Sequence, residues 1–363
     1  MTAEATNRVF IIAEAGVNHN GSLDLALSLV DMAAEAGADA VKFQTFSADR
    51  LVTRAAAMAD YQRRSSGSNE TQHAMLRRLE LSENDHARLI AHCAARGIQF
   101  LSSPFDLQSL SMLVERFDLA QIKLGSGEVT NGPLLLAASR TGRNIILSTG
   151  MATLEEVEAA LGVLAFGYGG GDARPGSAAF RSAFADAAAR VALSRKVVLL
   201  HCTIAYPASF EDVNLRAMDT LRTAFGIPVG YSDHTPGIVT AVAAAARGAA
   251  VIEKHLTADR TLPGPDHAAS LEPAELTRLI AAIRQVELAL GDGIKAPRAS
   301  ELGNMTAARK SIVATRPIAA AEMLSPMNLA VKRPGNGLSP MHWWDLQDTP
   351  ARRSYSEDEA VEL

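Results

Sequence analysis

Two histidines, His234 and His255, each close a short β-branched run, IPVGYSDH and AAVIEKH. Neutral imidazoles suit Mn²⁺, Zn²⁺ or Fe²⁺. Two of them leave positions open for water and for a substrate carbonyl, which such an ion would polarise as a Lewis acid. The competing reading makes one of them a hydrogen-bonded core histidine, and spacing alone leaves both open. Lys42 and Lys123 close two further runs, DAVKFQT and AQIKL. A lysine so placed can hold a phosphate or carboxylate, or form a Schiff base with a carbonyl. Ser126 and Gly127 follow Lys123 in KLGSGE, where backbone N–H groups and a hydroxyl can cradle an oxyanion. Neither lysine sits in a Gly-Lys-Ser phosphate loop, so nucleotide binding is unsupported. Glu14, Gln44, Ser102, Ser103, Ser148, His201, Asp233 and Glu253 also fall at or near the ends of apolar runs. The turn PGPDH would aim Asp266 and His267 above those ends.

So many polar residues at run ends require an architecture that gathers strand ends on one rim. Eight candidate strands end near Glu14, Thr45, Ser103, Leu124, Thr149, Cys202, Ser232 and His255, most with a helical pattern behind them. Leu154 to Leu164, Leu215 to Phe225 and Pro273 to Leu290 are the clearest helices. Eight β/α units over roughly 250 residues predict a closed (β/α)₈ TIM barrel, whose chemistry sits at the C-terminal strand ends. The runs are continuously apolar, as in a parallel sheet covered by helices. Lys42 and Gln44 share one strand face, as do Glu253 and His255. A doubly wound open sheet is the structural alternative, but its Gly-x-Gly-x-x-Gly fingerprint is missing after the first strand.

The remaining features bound the answer. The chain has 363 residues, a formal charge of −5 and 48% hydrophobic residues, which permits a large core and gives no electrostatic sign of nucleic-acid or membrane-surface binding. Only Cys93 and Cys202 are present, so neither a disulfide scaffold nor a Cys-rich zinc module is expected. No signal core or long charge-free apolar run is evident, and a cytoplasmic location is expected. Residues 46–71 form a long polar connection that would cover a ligand on the catalytic side, and GYGGGDARPG at 167–176 reads as a surface excursion before a helical stretch, Ser182 to Leu193. The pattern changes after Leu290: residues 1–290 are assigned to the barrel, 291–307 to a linker and 308–363 to a small β-rich module broken by Pro317, Pro326 and Pro334.

Taken together, the runs resemble the sialic acid synthase family, which condenses phosphoenolpyruvate with a mannosamine-type sugar. The matching text is IIAEAGVNHNG (11–21), DAVKFQTF (39–46), SSPFD (102–106), QIKLGSGEVTN (121–131), ILSTGMAT (146–153), GYSDHTPG (230–237), VIEKHLTADRTLPGPDH (251–267) and VKRPGNG (331–337). The resemblance implies that His234 and His255 hold Mn²⁺, with other divalent ions possible. It implies that Lys42, Ser103, Lys123, Ser126 and Ser148 line the phosphoenolpyruvate site. Glu14, Gln44, Tyr206, Glu253 and Asp266 then match polar residues at the acceptor sugar or reaction centre. It also makes the C-terminal module an antifreeze-like (SAF) domain of a domain-swapped homodimer, with Arg333 reaching the acceptor in the partner's barrel.

One departure concerns the run HCTIAYP, where the family often has asparagine after the threonine and this chain has Ile204. Isoleucine cannot donate a hydrogen bond, so phosphate binding must lean on lysines, serines and backbone N–H groups. The resemblance implies an N-acetylneuraminate synthase acting on unphosphorylated N-acetylmannosamine. The run YQRRSSGSNETQ (61–72) argues against a 6-phosphate acceptor. The alternative acceptor is 2,4-diacetamido-2,4,6-trideoxymannose, giving N,N′-diacetyllegionaminate. A Schiff-base pyruvate aldolase on the same barrel and a non-catalytic carbohydrate-binding protein are the readings from other classes.

Overall fold

The computed structural model describes residues 8–59, 63, 70–170 and 173–363. The loop residues Ser65, Ser66, Gly67, Ser68 and Asn69, and most of the run YQRRSSGSNETQ, lie outside the described residues. The chain divides into two compact units, Met1–Gly291 and Asp292–Leu363.

Eight parallel strands build the first unit: β1 (Phe10–Gly16), β2 (Ala40–Thr45), β3 (Gln99–Pro104), β4 (Gln121–Leu124), β5 (Asn144–Ser148), β6 (Val197–Cys202), β7 (Val229–Asp233) and β8 (Val251–His255). Their order, β3-β2-β1-β8-β7-β6-β5-β4, wraps round so that β3 and β4 adjoin. Across that seam the Gln99 amide donates to Gln121 Oε1 at 3.3 Å. This is the (β/α)₈ barrel, and the doubly wound alternative falls with it.

Apolar residues on both strand faces explain why the sheet closes. Ile11, Ala13, Val41 and Phe43 face the helices in the main core. Ile12, Ala40, Leu101, Ile146, Leu200 and Val251 point the other way and form a separate plug inside the barrel. Gly230 belongs to this crowded interior: a Cβ there would lie 2.3 Å from the Val251 carbonyl oxygen and 2.7 Å from Leu200 Cδ2. The helices are bounded by local signals. Ser82 and Asp85 form a capping box ahead of helix Glu83–Arg96, as do Thr153 and Glu156 ahead of Leu154–Tyr168. The helices expected from Leu154, Leu215 and Pro273 run Leu154–Tyr168, Ala217–Phe225 and Pro273–Leu290, behind the fifth, sixth and eighth strands. The stretch read as one helix from Ser182 is two, Ser177–Ala185 and Ala187–Lys196, because Asp186 leaves the helical region and caps the second.

The described part of residues 46–71 is less loop-like than its polarity suggests. Helix Ala48–Leu51 lies within them, and helix Gln72–Leu79 follows behind a Thr71 cap. In the second unit, residues 299–308, all but the last read from sequence as linker, form a helix. The expected β-rich module has two short antiparallel strands, β9 (Ser311–Ala314) and β10 (Leu329–Lys332), plus isolated bridges. Proline lacks the N–H a ladder needs, which keeps these strands short. The unit nonetheless has its own core, centred on Ile312, Leu324, Leu329, Leu346, Tyr355 and Val361. Among the described residues no helix is long and apolar enough to cross a membrane.

Candidate active site

The plug residues set the register of the site. Two residues beyond each of them a polar side chain points into the barrel mouth: Ile12 precedes Glu14, Ala40 precedes Lys42, Leu101 precedes Ser103, Ile146 precedes Ser148 and Val251 precedes Glu253. Lys123, Ser232, His234 and His255 continue the inward ring, with Gln44 one step above Lys42. These side chains line one cavity of about 330 Å³, joined by Ser126, Tyr206 and Asp266. The barrel residues that the family resemblance assigned to the site are therefore in one place, whereas His267, expected above the rim beside Asp266, is buried against the Thr257 hydroxyl at 2.7 Å. Arg333 belongs to the second unit, is exposed, and donates to the Ala308 carbonyl at 3.1 Å.

The same alternation removes three residues from the expected rim. Ser102 turns outward to Thr45, which in turn meets buried His86. His201 turns outward too, and its Nε2 lies 2.7 Å from the Val213 carbonyl. Asp233 is sequestered behind the site, where it accepts from Lys254 Nζ at 2.8 Å and from the N–H and hydroxyl of Thr235 at 2.9 and 2.8 Å. Sequence reading missed Ser232, whose hydroxyl donates to Glu253 at 2.8 Å. Its inward parity beside His234 was the available signal. Cys202, left open as a small buried hydrophobe, lines the cavity where His201 does not.

Four buried charges meet at the floor. Lys42 Nζ lies 2.5 Å from Glu14 and 3.7 Å from Glu253, and Lys123 Nζ lies 3.4 Å from Glu253. Lys42 Nζ also reaches Ser103 Oγ at 3.3 Å. Burial would raise Glu253, but Lys123 and Lys42 outweigh it and bring the carboxyl down to about 2. Burial dominates at Glu14 and pushes it up to about 7 despite Lys42. Burial lowers Lys123. It acts on Lys42 as well, yet Glu14 and Glu253 hold that ammonium above its usual value.

His234 and His255 sit with ring centroids 5.4 Å apart, and the Tyr206 ring lies 4.2 Å from His234 and 5.6 Å from His255. Burial lowers both imidazoles, His234 to about 4, so both are neutral bases near pH 7. His234 Nδ1 lies 2.6 Å from the Thr203 carbonyl, a bond that fixes the proton there and leaves the lone pair on Nε2, which lies 3.5 Å from the Ser232 hydroxyl. His255 Nδ1 is buried without a hydrogen-bond partner and lies 3.9 Å from Asp266. Two neutral imidazoles, one with an orphaned nitrogen, fit a divalent cation. Among the described residues no group of three or more His, Cys, Asp or Glu side chains is gathered closely enough to enclose one. An ion here would rest on two protein ligands and draw the others from solvent or substrate.

Opposite the imidazoles lies a cradle of hydroxyls. Ser148 Oγ is buried without a hydrogen-bond partner. Ser126 Oγ accepts from the Gly150 N–H at 2.9 Å and contacts Cys202 Sγ at 3.1 Å. Ile204 lines the cavity beside them, so this edge has no donor side chain where the departure was noted. The turn carrying Asp266 is held from β1's loop: Asn20 donates to the Pro263 carbonyl at 2.9 Å, and Asn18 donates to Ser270, whose hydroxyl donates to the Asp266 carbonyl at 2.7 Å.

Residues 29–295 match the model of the NeuB family. The N,N′-diacetyllegionaminic acid synthase of Campylobacter jejuni is 46% identical over 98% of this chain and 99% of its own length. The enzyme of the same name from Legionella pneumophila is 45% identical over 91% of this chain and 87% of its own. A crystal structure of N-acetylneuraminic acid (sialic acid) synthetase from Leptospira borgpetersenii, in complex with citrate, superposes with a TM-score of 0.65 and 34% identity, covering 82% of this chain and 90% of that one. A (β/α)₈ barrel with this ring of strand-end residues, read with these matches, places the chain among the sialic acid synthase-type enzymes. It belongs to the NeuB family.

Proposed function

We propose that this protein joins phosphoenolpyruvate to the open-chain aldehyde of an unphosphorylated N-acetylmannosamine-type sugar, giving a nonulosonic acid and phosphate. The observation that carries this reading is the single inward layer holding two buried lysines, an elevated carboxylic acid and two neutral imidazoles. For the acceptor we favour 2,4-diacetamido-2,4,6-trideoxymannose over N-acetylmannosamine itself, on the strength of the two diacetyllegionaminic acid synthases at 45 and 46% identity.

Lys42, Lys123 and the hydroxyls of Ser103, Ser126 and Ser148 hold the phosphate and carboxylate of phosphoenolpyruvate in a site screened from bulk water, where each contact is strengthened. His234 and His255 would hold Mn²⁺, which supplies Lewis acidity toward the acceptor aldehyde. The methylene carbon of phosphoenolpyruvate forms the new C–C bond with the aldehyde carbon, and the aldehyde oxygen takes a proton from solvent to become a hydroxyl. Water then adds at the former enol carbon, giving one proton to Glu14. Phosphate departs by C–O cleavage, taking the remaining hydroxyl proton, and leaves the keto acid. Gln44, Tyr206, Glu253 and Asp266 orient the acceptor. The second unit acts as the SAF domain of a domain-swapped homodimer, and its Arg333 reaches the acceptor bound to the other subunit.

The test is release of inorganic phosphate from phosphoenolpyruvate, dependent on both acceptor and divalent metal, with mass spectrometry of the product. Absence of release with every amino-sugar acceptor overturns the reading. Borohydride trapping of a pyruvate adduct on Lys42 or Lys123 would instead favour the aldolase.

A further inference from the structure

The cavity has two chemistries. Its floor is the charged ring already described, while the segment between β2 and β3 lines it with an arc of five apolar residues, Leu51, Val52, Met75, Leu76 and Leu79, and one polar one, Gln72. The apolar five are not an extension of the barrel core. They pack with Val17, Phe46, Ala48 and Met58 in a cluster of their own. The arc is also pinned. Thr71 caps helix Gln72–Leu79, the Ala48 N–H donates to Glu80 at 2.6 Å, and Asp49 takes Arg77 and His73 at 2.6 and 2.9 Å.

We propose that this aliphatic arc reads the acceptor sugar by its deoxygenated end, selecting a 6-deoxy sugar. The inference rests on the condensation reading. The attacking carbon is held over the lysines, so the aldehyde end of the acceptor must point to the floor and its far end toward the arc. A hydroxyl pressed against Leu51 or Val52 loses its water without gaining a partner. A methyl group at the same position gains by burial. Exchanges of this size in an apolar pocket shift selectivity about 10- to 200-fold. Among the described residues the lining contains no lysine or arginine besides Lys42 and Lys123, so those of the arc offer no charge to a terminal phosphate. Polarity in the linear sequence hid this surface, because its apolar residues are scattered among charged ones on a helix and a short turn.

The experiment compares kcat/KM by phosphate release for 2,4-diacetamido-2,4,6-trideoxymannose and N-acetylmannosamine, in the native protein and in Leu51→Asn and Val52→Ser. Both positions are only half-buried, and circular dichroism checks that each variant remains folded. Native preference for the deoxy sugar of tenfold or more, falling at least tenfold in the variants through KM for that sugar while KM for phosphoenolpyruvate stays put, supports the assignment. Leu51→Met, an aliphatic control, should keep the preference. Equal native use of both sugars, or an unaltered ratio in the folded polar variants, overturns it while leaving the condensation intact. No phosphate release with either sugar overturns the condensation reading, and this inference with it.

Discussion

Glu14 and Glu253 both approach the Lys42 ammonium, at 2.5 and 3.7 Å, yet their carboxyls part widely, one raised to about 7, near neutrality, and the other lowered to about 2. The difference has a physical origin. Glu253 also faces Lys123 and accepts a hydrogen bond from Ser232, whereas at Glu14 burial prevails over its single close lysine. Two acids whose environments separate them in this way divide the labour of proton transfer and fixed charge. Glu253 stays ionised; Glu14 exchanges a proton near neutrality.

Glu14→Gln should therefore change the shape of the pH profile as well as the rate. As the base for the incoming water, Glu14 works deprotonated, so kcat/KM rises with pH through about 7. The glutamine variant should lose that limb and about 10²–10⁴ in kcat. Stability runs the opposite way. The folded-state value lies above the ordinary 4.5, so the stabilisation is complete below about 4.5 and lost as pH climbs through about 7. Urea titrations between these limits should show a weaker decline in the glutamine variant.

Alanine at His234 or at His255 should nearly abolish turnover, with Mn²⁺ binding weakened in parallel when followed by calorimetry. Full activity of both variants after metal stripping would defeat the assignment of these imidazoles.

Lys123→Met removes one of the two cations facing Glu253 and, on the proposed chemistry, a phosphate partner. A loss of roughly 10²-fold in kcat/KM for phosphoenolpyruvate is expected, with KM for the acceptor little altered. Initial-rate kinetics varying each substrate separate the two. Borohydride and pyruvate should leave the native mass unchanged.

Behind the imidazoles, Lys254 and Asp233 form an ion pair with no solvent exposure. Lys254→Met strands the carboxylate and should cost about 3–5 kcal/mol. At roughly 2–4 °C per kcal/mol for a unit of this size, Tm should fall by roughly 10 °C. Adding Asp233→Asn should restore part of that loss, a coupling that a double-mutant cycle by calorimetry would measure.

The barrel was legible because β-branched runs recur at regular intervals with helical patterns behind them, and the run ends named Lys42, Lys123, Glu253 and both imidazoles. Parity, where applied, was reliable: Lys42 with Gln44, Glu253 with His255. It had not been carried through β3, β6 and β7, so Ser102, His201 and Asp233 were placed on the rim when each turns outward. The aliphatic arc was illegible for another reason. Its residues alternate with the exposed charges of a short helix, and only folding onto Val17 and Phe46 makes them one surface. The pairing of Asn20 with Pro263 is similarly a contact between distant runs that no local pattern announces.

The hydrocarbon plug beneath the charged ring has a kinetic corollary. With Ile12, Leu101, Ile146, Leu200 and Val251 stoppering the lower end, traffic to the lysines passes the place where the sugar must sit. Phosphoenolpyruvate would load ahead of the sugar, and the newly elongated acid would have to vacate before inorganic phosphate could escape. Order of addition and release is thus written into the stopper.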